Sequence, residues 1–549
     1  MPPIRRTFSY SLVIALFVTF LSAGIALAGG GNTTRWVALT GSVGANTSCS
    51  SPGYIGVPGV NDAIDAANSG DTIHICTGTW NTADSAIDGF RWYDKDLTIE
   101  GDGQSKTIID GTGTSLTAIR AATDSFASVN LTVRDLTVRN ATAEDPSAIW
   151  ADGPLVIEDA KVQNNGSLVD AAVAMTLLGG SLTIRRSTFS GQAAGASAPA
   201  PLVKSAGPTT IEDSTFADNV NPFPIAGVAV QGPEGTDITV DSSTFTGLVA
   251  SDEGSGCTSS LLNLSEGADA GIAITNSTFT DNTAGTFECY SAHIASNGFL
   301  TMKNSTFARN TGVRDNGGIP WGELLSFTGM TLGNNIIVGD PNASSTCQSF
   351  QGDRTNDAGN VISDGTLGCD DWVGGASPSP QAKVPEASID LQTLADNGGP
   401  TETMALGATS VARGAAIKTE CPQTDQRGVT RGTPCTSGAW QEGASGKPKV
   451  KQKGRAGAQS LRVRVQCGGG APCRIKLTGA LKGGGGKLTG KSVRVGGKGK
   501  TVTLKYTDEL KRSLLAAGGS GKVRVRAEEI GGGSATTVVR VSLPASVTG

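Results

Sequence analysis

Between residues 182 and 310 one phrase returns five times: LTIRRSTFSGQ (182–192), TIEDSTFADN (210–219), ITVDSSTFTG (238–247), IAITNSTFTDN (272–282) and LTMKNSTFARN (300–310). Its phenylalanines, Phe189, Phe216, Phe245, Phe279 and Phe307, are 27 to 34 residues apart, the spacing of an internal structural repeat. Within each copy apolar and polar residues alternate over three to five positions, which is the period of a short strand and not of a helix. So short a strand buries no face alone. It must stack on its equivalents in the coils above and below, about 4.8 Å away.

The pattern extends outward from these copies. Val138, Val162 and Ile337 hold the Phe position in LTVRDLTVRN, LVIEDAKVQNN and GNNIIVGD. Three residues after it stand Asn165, Gln192, Asn219, Asn282, Asn310 and Asp340, with Leu248 as the exception. Amides repeated at one position can hydrogen-bond along a stacking axis. A further apolar strand closed by Gly separates successive copies, as in AVAMTLLGG, PLVKSAG and ELLSFTG. Three strands per turn predict a parallel β-helix over residues 60–372. One position holds Asp135, Asp159 and Asp213 in three coils and Arg186, Ser242, Asn276, Asn304 and Asn334 in others. Asp, Asn and Ser all bond local backbone, which marks a turn position.

Composition suits this architecture: 549 residues with 76 Gly and 5% aromatics describe a Gly-punctuated β protein of more than one domain. Residues 1–28 carry Arg5 and Arg6, an apolar run and Ala26-Leu27-Ala28, the form of a cleaved secretory signal in preference to a retained anchor. No other long apolar run follows, so the mature chain is expected to be exported, extracellular or on the cell surface, without a transmembrane segment. The ten cysteines fall into neighbouring pairs, Cys49 with Cys76, Cys257 with Cys289, Cys347 with Cys369, Cys421 with Cys435 and Cys467 with Cys473. Disulfides suit an exported chain, although sequence does not fix connectivity. With no CxxC and only His74 and His293 as histidines, a zinc site is not expected.

After a lead-in at 29–59, the stretches AIDAANSGDTIHICTGTW and DLTIEGDGQSKTIIDG suggest a short amphipathic helix covering the open edge of the first coil, then strands. These stretches resemble the N-terminal cap and first coils of pectin-lyase-like, right-handed parallel β-helix proteins. The segment 373–446 holds DNGGPT at 396–401, Cys421, DQRG at 425–428, Arg431, Cys435 and Gly438-Ala439-Trp440. That order resembles the closing segment of bacterial extracellular β-helix proteins of the choice-of-anchor Q type. TSVARGAA stands where that family has a small-residue SPAID phrase. Asp425 and Arg427 are expected to pair structurally and close the last coil.

The composition then changes. After a linker at 447–460, residues 461–549 alternate apolar with basic residues in SLRVRVQC, CRIKLTG, KTVTLKYT and KVRVRAEEI. One face is core and the other solvent, predicting a small antiparallel β-sandwich with a turn or two of helix at DELKRSLLAAGG. From Lys447 onward there are 22 Lys and Arg against 4 Asp and Glu, hidden within a net charge of −5. The excess is either a patch for an anionic polymer, such as cell-wall polymer, acidic polysaccharide or extracellular DNA, or a soluble face that happens to be basic. A sorting module would need an LPxTG-type signal, which SLPASVTG only echoes.

Few residues point to chemistry. GGKLTGKS at 485–492 satisfies the phosphate-loop spacing, but strand-like SVRVGG follows where a helix is required. The loop Asp353–Gly365 lacks the Gly and Glu of a calcium-binding hand, so no cofactor is expected and calcium has no support. His74 alternates with Ile73 and Ile75 and is expected to face outward or pair locally. Trp80, Phe90, Trp92 and Tyr93 cluster in the first coils, where they either cap the solenoid or, at Trp80, Trp92 and Tyr93, stack on sugar rings. Arg134, Asp135, Arg139, Asp159, Arg185 and Arg186 are the charges that could act, yet no catalytic set is identified. The expectation is a binding or adhesive β-helix protein directed at carbohydrate or cell-envelope polymers. The alternative is a polysaccharide lyase or glycoside hydrolase on the same scaffold, acting on acidic polysaccharide. No specific nucleic-acid reader is indicated.

Overall fold

The computed structural model describes residues 33–542 except 86–88, 126, 144–146, 168–172, 195–200, 222–225, 251–259, 266–269, 285–291, 312–321, 344, 351–353, 357–358, 367, 370–382, 443–447, 455, 458, 468–472, 483–485, 489, 496–498 and 530–533. The chain is all-β: a parallel β-solenoid followed by small antiparallel sheets. Among the described residues the solenoid has three long parallel sheets of 13, 11 and 10 strands and a fourth, short one of five. The first sheet holds the alternating strand that opens each repeat, such as Leu182–Arg185 and Thr209–Glu212. The second holds the Phe strands, such as Thr188–Ser190 and Thr215–Ala217. The third holds the Gly-closed strands, such as Ala174–Thr176 and Val203–Ser205.

The repeat positions do what their periodicity implies. Phe189, Phe216, Phe245, Phe279 and Phe307 are fully buried and pair in register from coil to coil. Successive rings from Phe189 to Phe279 stack 4.7 to 5.0 Å apart and within 9° of parallel, adding about 0.5–1.5 kcal/mol per pair to the burial itself. The amides three residues on form a ladder in two runs, interrupted where the Leu248 side chain offers no acceptor to Asn219 N. Asn165 N donates to Gln192 Oε1 at 2.8 Å, Gln192 N to Asn219 Oδ1 at 3.1 Å and Asn282 N to Asn310 Oδ1 at 3.1 Å. Leu248 takes part through its backbone, donating to Asn282 Oδ1 at 3.0 Å. A parallel ladder runs through the Ser of the phrase: Ser187, Ser214, Ser243 and Ser277 each donate a backbone N–H to the next coil's Ser side chain. Both ladders satisfy turn N–H groups that would otherwise be buried without partners.

The ends differ from the sequence expectation. Strand Thr34–Ala38, in the expected lead-in, pairs parallel with Thr72–Ile75 in the first sheet. Helix Gly56–Asp65 begins before the apolar residues that suggested it and buries Val57, Val60, Ala63 and Ile64 against the first coils. At the other end the described part of the closing segment, residues 383–442, does more than close the last coil. It runs back along the outside of the second sheet, where Ile389, Met404, Leu406, Ala412 and Trp440 pack on the outward-facing Ile336, Val338 and Val361. Arg427 and Asp425 do pair, at 2.7 Å and almost fully buried, but they hold this returning segment to itself. Asp425 accepts from the backbone of Arg427, Val429 and Gln441, and Arg427 donates to Asn397 O and Gln441 O.

Within the expected linker, Lys449–Gln452 is a strand of a three-stranded antiparallel sheet with Ser460–Gln466 and Lys500–Lys505. A four-stranded sheet, Lys491–Val495, Cys473–Leu481, Ser520–Glu529 and Ser534–Ser542, shares its core. Helix Asp508–Ala516 adds Leu510 and Leu514 to that core and is capped by Thr507.

Candidate functional site

The turn between the first and second sheets repeats one backbone feature. Asp135, Asp159, Arg186, Asp213, Ser242, Asn276, Asn304 and Asn334 all have φ between 46° and 57°. The left-handed region is costly for most side chains and least so for Asn and Asp, which bond their own backbone. Seven of these eight residues are short and polar. Arg186 is the departure.

This turn row and the outward residues of the second sheet divide into two halves. Along the later coils the returning segment covers them. Thr244 donates to Glu402 O at 2.6 Å, Thr278 to Gln426 Oε1 at 2.6 Å, and Ala439 N donates to Thr306 Oγ1 at 3.1 Å. On the turn itself Thr401 donates to Ser242 O, Arg431 to Asn276 Oδ1, Asn304 to Glu420 O and Asn334 to Ile417 O. The cover ends at Pro400. Beyond it the same two rows line an open groove of about 490 Å³ bounded by Gln104, Ser105, Asp135, Asp159, Lys161, Arg186, Thr188, Asp213, Thr215 and Pro400. The covered turn residues are neutral and the open ones charged, as the cost of burying an unpaired charge requires.

Arg186 is the centre of the groove's electrostatics. Its guanidinium donates to both Asp159 carboxylate oxygens at 2.9 to 3.1 Å and to Glu158, and these carboxylates keep its pKa above the usual arginine value. Asp135, one coil from Asp159 and two from Arg186, has its carboxyl raised above the usual range, first by burial and then by the neighbouring Asp159 and Glu100 charges. Acidic residues outnumber cations in the lining, with Asp135, Asp159 and Asp213 against Arg186 and Lys161. Of the other charges singled out from sequence, Arg134 pairs with Glu100 at 3.4 Å, Arg139 with Asp110 at 2.8 Å and Arg185 with Glu212 at 2.8 Å. These are ordinary cross-coil ion pairs outside the groove.

The aromatic candidates do not form a sugar platform. Trp80 and Phe90 are fully buried and Trp92 nearly so, with the indole N–H groups of Trp80 and Trp92 donating to Cys76 O and Lys95 O. A ring packed on both faces offers nothing to a ligand, so these residues belong to the core. Tyr93 alone is half exposed, and it lies outside the groove. His74 is buried beside Trp36, with Nε2 3.1 Å from Asp102 Oδ1 and Nδ1 3.5 Å from Glu100 Oε2. It shares a cluster with Cys49 and Cys76, whose sulfurs are joined as a disulfide and so present no thiolate to a metal.

Disulfides join Cys49 to Cys76, Cys347 to Cys369 and Cys421 to Cys435, and Cys467 is also disulfide-bonded. Cys257 and Cys289 lie outside the described residues. In the formal phosphate loop, Lys491–Val495 is a strand, so no helix end is available to hold phosphate. Within the apparent calcium loop, Arg354–Asn356 and Val361–Ile362 are solenoid strands. Among the described residues no helix is long and apolar enough to cross a membrane.

No protein-family model matches the chain, and no curated protein does. Among solved structures it is similar to the PL6 family polysaccharide lyase Pedsa3628 from Pseudopedobacter saltans, at 14% identity over 60% of this chain and 97% of that one, TM-score 0.28. The PL6 family alginate lyase AlyGC follows at 12% identity over 73% and 60%, TM-score 0.27. The catalytic domain of a GH87 alpha-1,3-glucanase in complex with nigerose gives 13% identity over 64% and 68%, TM-score 0.23. Likenesses this low carry no argument about what this chain binds or does.

Proposed function

We propose that this chain is an exported β-helix protein that binds a glycan in the groove on its second sheet. The observation that carries this proposal is Arg186, held in a left-handed conformation its neighbours reserve for Asp, Asn and Ser, and placed at the groove's centre. Backbone strain of this kind costs about 1–3 kcal/mol and concentrates where a side chain is needed for function. The groove is lined by hydroxyl, amide and charged groups with little apolar surface. Such a lining satisfies a hydroxyl-rich ligand, whereas a lipid or apolar peptide would need pockets. Its excess of carboxylates favours a neutral glycan over a uronate polymer. Export is supported by the disulfides, which persist in oxidising compartments, and by the N-terminal signal pattern. The DNGGPT and DQRG phrases support placement among choice-of-anchor Q surface proteins.

The test is a glycan array probed with the mature chain, with Lys161→Ala and Thr188→Val as groove variants. Retention of neutral glycans that both variants weaken is expected. Retention of none, or retention untouched by either variant, overturns the proposal.

Glycoside hydrolysis in the same groove is a second reading, favoured by one observation: Asp135 is pushed toward its protonated form while Asp159, on the adjacent coil, is ion-paired to Arg186. Two carboxyl groups in contrasting environments are what acid-assisted glycoside cleavage uses. Release of reducing ends from a bound glycan, abolished by Asp135→Asn, establishes it. Binding without release leaves the first reading in place.

A further inference from the structure

The three-stranded sheet of the C-terminal domain turns one face to its core through Leu461, Val463, Val465, Val502 and Leu504. Its other face carries Lys449 and Lys451 on the edge strand, Arg462 and Arg464 on the central strand, and Lys505 on the third, all exposed, with Lys453 just beyond the first strand beside Arg462. Ser460, Gln466, Thr501 and Thr503 complete the face, and none of the three strands contains an acidic or aromatic residue. Lys451 and Arg464 are direct cross-strand partners. Like charges placed opposite each other destabilise a sheet.

Lysines on an edge strand have a structural explanation, because they discourage edge-to-edge aggregation. That explanation does not reach Arg462 and Arg464, which lie on the central strand, between two paired neighbours. Arginine also differs from lysine in presenting a planar fork of donors that matches a carboxylate in two-point contact. Alternate residues along a strand are about 7 Å apart and neighbouring strands about 5 Å, so the cations form a mesh near the size of one sugar ring. Single-stranded nucleic acid is bound by aromatic side chains that stack on its bases, and this face has none.

We propose that this basic sheet face is a docking surface for an acidic polysaccharide, a glycan chain bearing a carboxylate on successive sugars. The site is separate from the groove and of opposite charge, so one chain holds two surfaces for two kinds of polymer. Many-point attraction of this kind weakens steeply with salt.

The experiment measures retention of the full chain on immobilised alginate, with dextran as the neutral control and a single-stranded oligonucleotide as a polyanion that carries bases. The face variant Lys451→Ala/Arg462→Ala/Arg464→Ala is compared with the charge-matched variant Lys482→Ala/Lys522→Ala/Arg524→Ala, which removes two exposed cations from the other sheet and one from the turn beside it. Circular dichroism confirms that both fold. Retention on alginate at low salt is expected to fall at least about tenfold in the face variant, as loss of three anion contacts implies, and to persist in the charge-matched variant. No retention on alginate, equal loss in both variants, or tighter retention of the oligonucleotide each overturns the proposal. The groove variants Lys161→Ala and Thr188→Val are expected to leave alginate retention unchanged, so failure of the groove proposal and failure of this one are told apart.

Discussion

Gln426 accepts a hydrogen bond from Thr278 Oγ1 at 2.6 Å, joining positions 148 residues apart in the chain. The same amide donates to Ser243 O, Thr244 Oγ1 and Thr401 Oγ1 at 2.7 to 3.1 Å. Gln426 is the pin that holds the returning segment against the second sheet. Gln426→Ala leaves several buried groups without partners, and the expected loss of stability is about 2–4 kcal/mol. Hydrogen exchange is expected to rise first in residues 396–442, before the coils open. Uniform loss of protection along the solenoid contradicts the assignment.

The amide ladder predicts an asymmetric cost. Asn282 Oδ1 accepts from Leu248 N, and its Nδ2 donates to Phe245 O and Asn310 Oδ1. Asn282→Ala is expected to cost about 2–4 kcal/mol, because it orphans buried backbone groups in one coil and a side chain in the next. Leu248→Ala removes no polar partner and is expected to cost about the transfer and cavity energy of a small apolar truncation, at the lower end of 2–5 kcal/mol. Urea denaturation of both variants measures the difference.

Stability should peak on the acidic side of neutrality. Burial raises the Glu323 carboxyl to about 8, with Asp340 N–H bound to Oε2 at 3.0 Å. Burial lowers His293 to about 4, against smaller opposing effects of Asp340 and Thr311. Glu323 stays protonated in the folded chain while the unfolded chain ionises, so its contribution is complete below about 4.5 and is lost as pH rises to about 8. His293 stays neutral when folded while the unfolded chain protonates, so its contribution is complete above about 6.5 and is lost as pH falls to about 4. The two slopes oppose each other between about 4.5 and 6.5 and leave a plateau there. Thermal melts are expected to fall from about pH 6.5 to 8, and Glu323→Gln to flatten that decline.

Arg186→Asn separates stability from binding. Asn accepts φ near +50° more readily than Arg, a relief of about 1 kcal/mol, offset by loss of half-exposed ion pairs worth about 0–1 kcal/mol each. Melting temperature is therefore expected to change by no more than a few degrees, since 1 kcal/mol shifts even a domain of 150–250 residues by only about 2–4 °C and a larger unit by less. Glycan retention in the groove is expected to drop at least about tenfold, the cost of one lost charged hydrogen-bonding group. Unchanged retention removes Arg186 from the binding site.

The repeat phrase made the strands, the stacked phenylalanines and the amide ladder legible, because each is a period along the chain and every coil has the same neighbours. The parallel Ser ladder could also have been found, since Ser187, Ser214, Ser243, Ser277 and Ser305 recur at one position. For Trp80 and Trp92 the sequence leaves capping and sugar stacking both open, because an aromatic cluster reads alike whether it is sealed or exposed to solvent, and their burial decides for the core. The groove had a signal of its own in the turn row, which is charged through Asp213 and neutral from Ser242 onward. Its meaning requires knowing where the returning segment stops.

Periodicity alone determined the solenoid, its turn residues and its internal ladders, since these depend on contacts between equivalent positions one coil apart. Alternation of apolar and basic residues likewise determined that the C-terminal strands have a core face and a charged face. Only the tertiary structure decided that residues 396–441 fold back over the later coils and end at Pro400. That boundary depends on contacts such as Gln426 to Thr278 and Arg431 to Asn276, between positions that share no period. The groove exists because the cover is shorter than the solenoid it lies on, and no local stretch of sequence contains that difference in length.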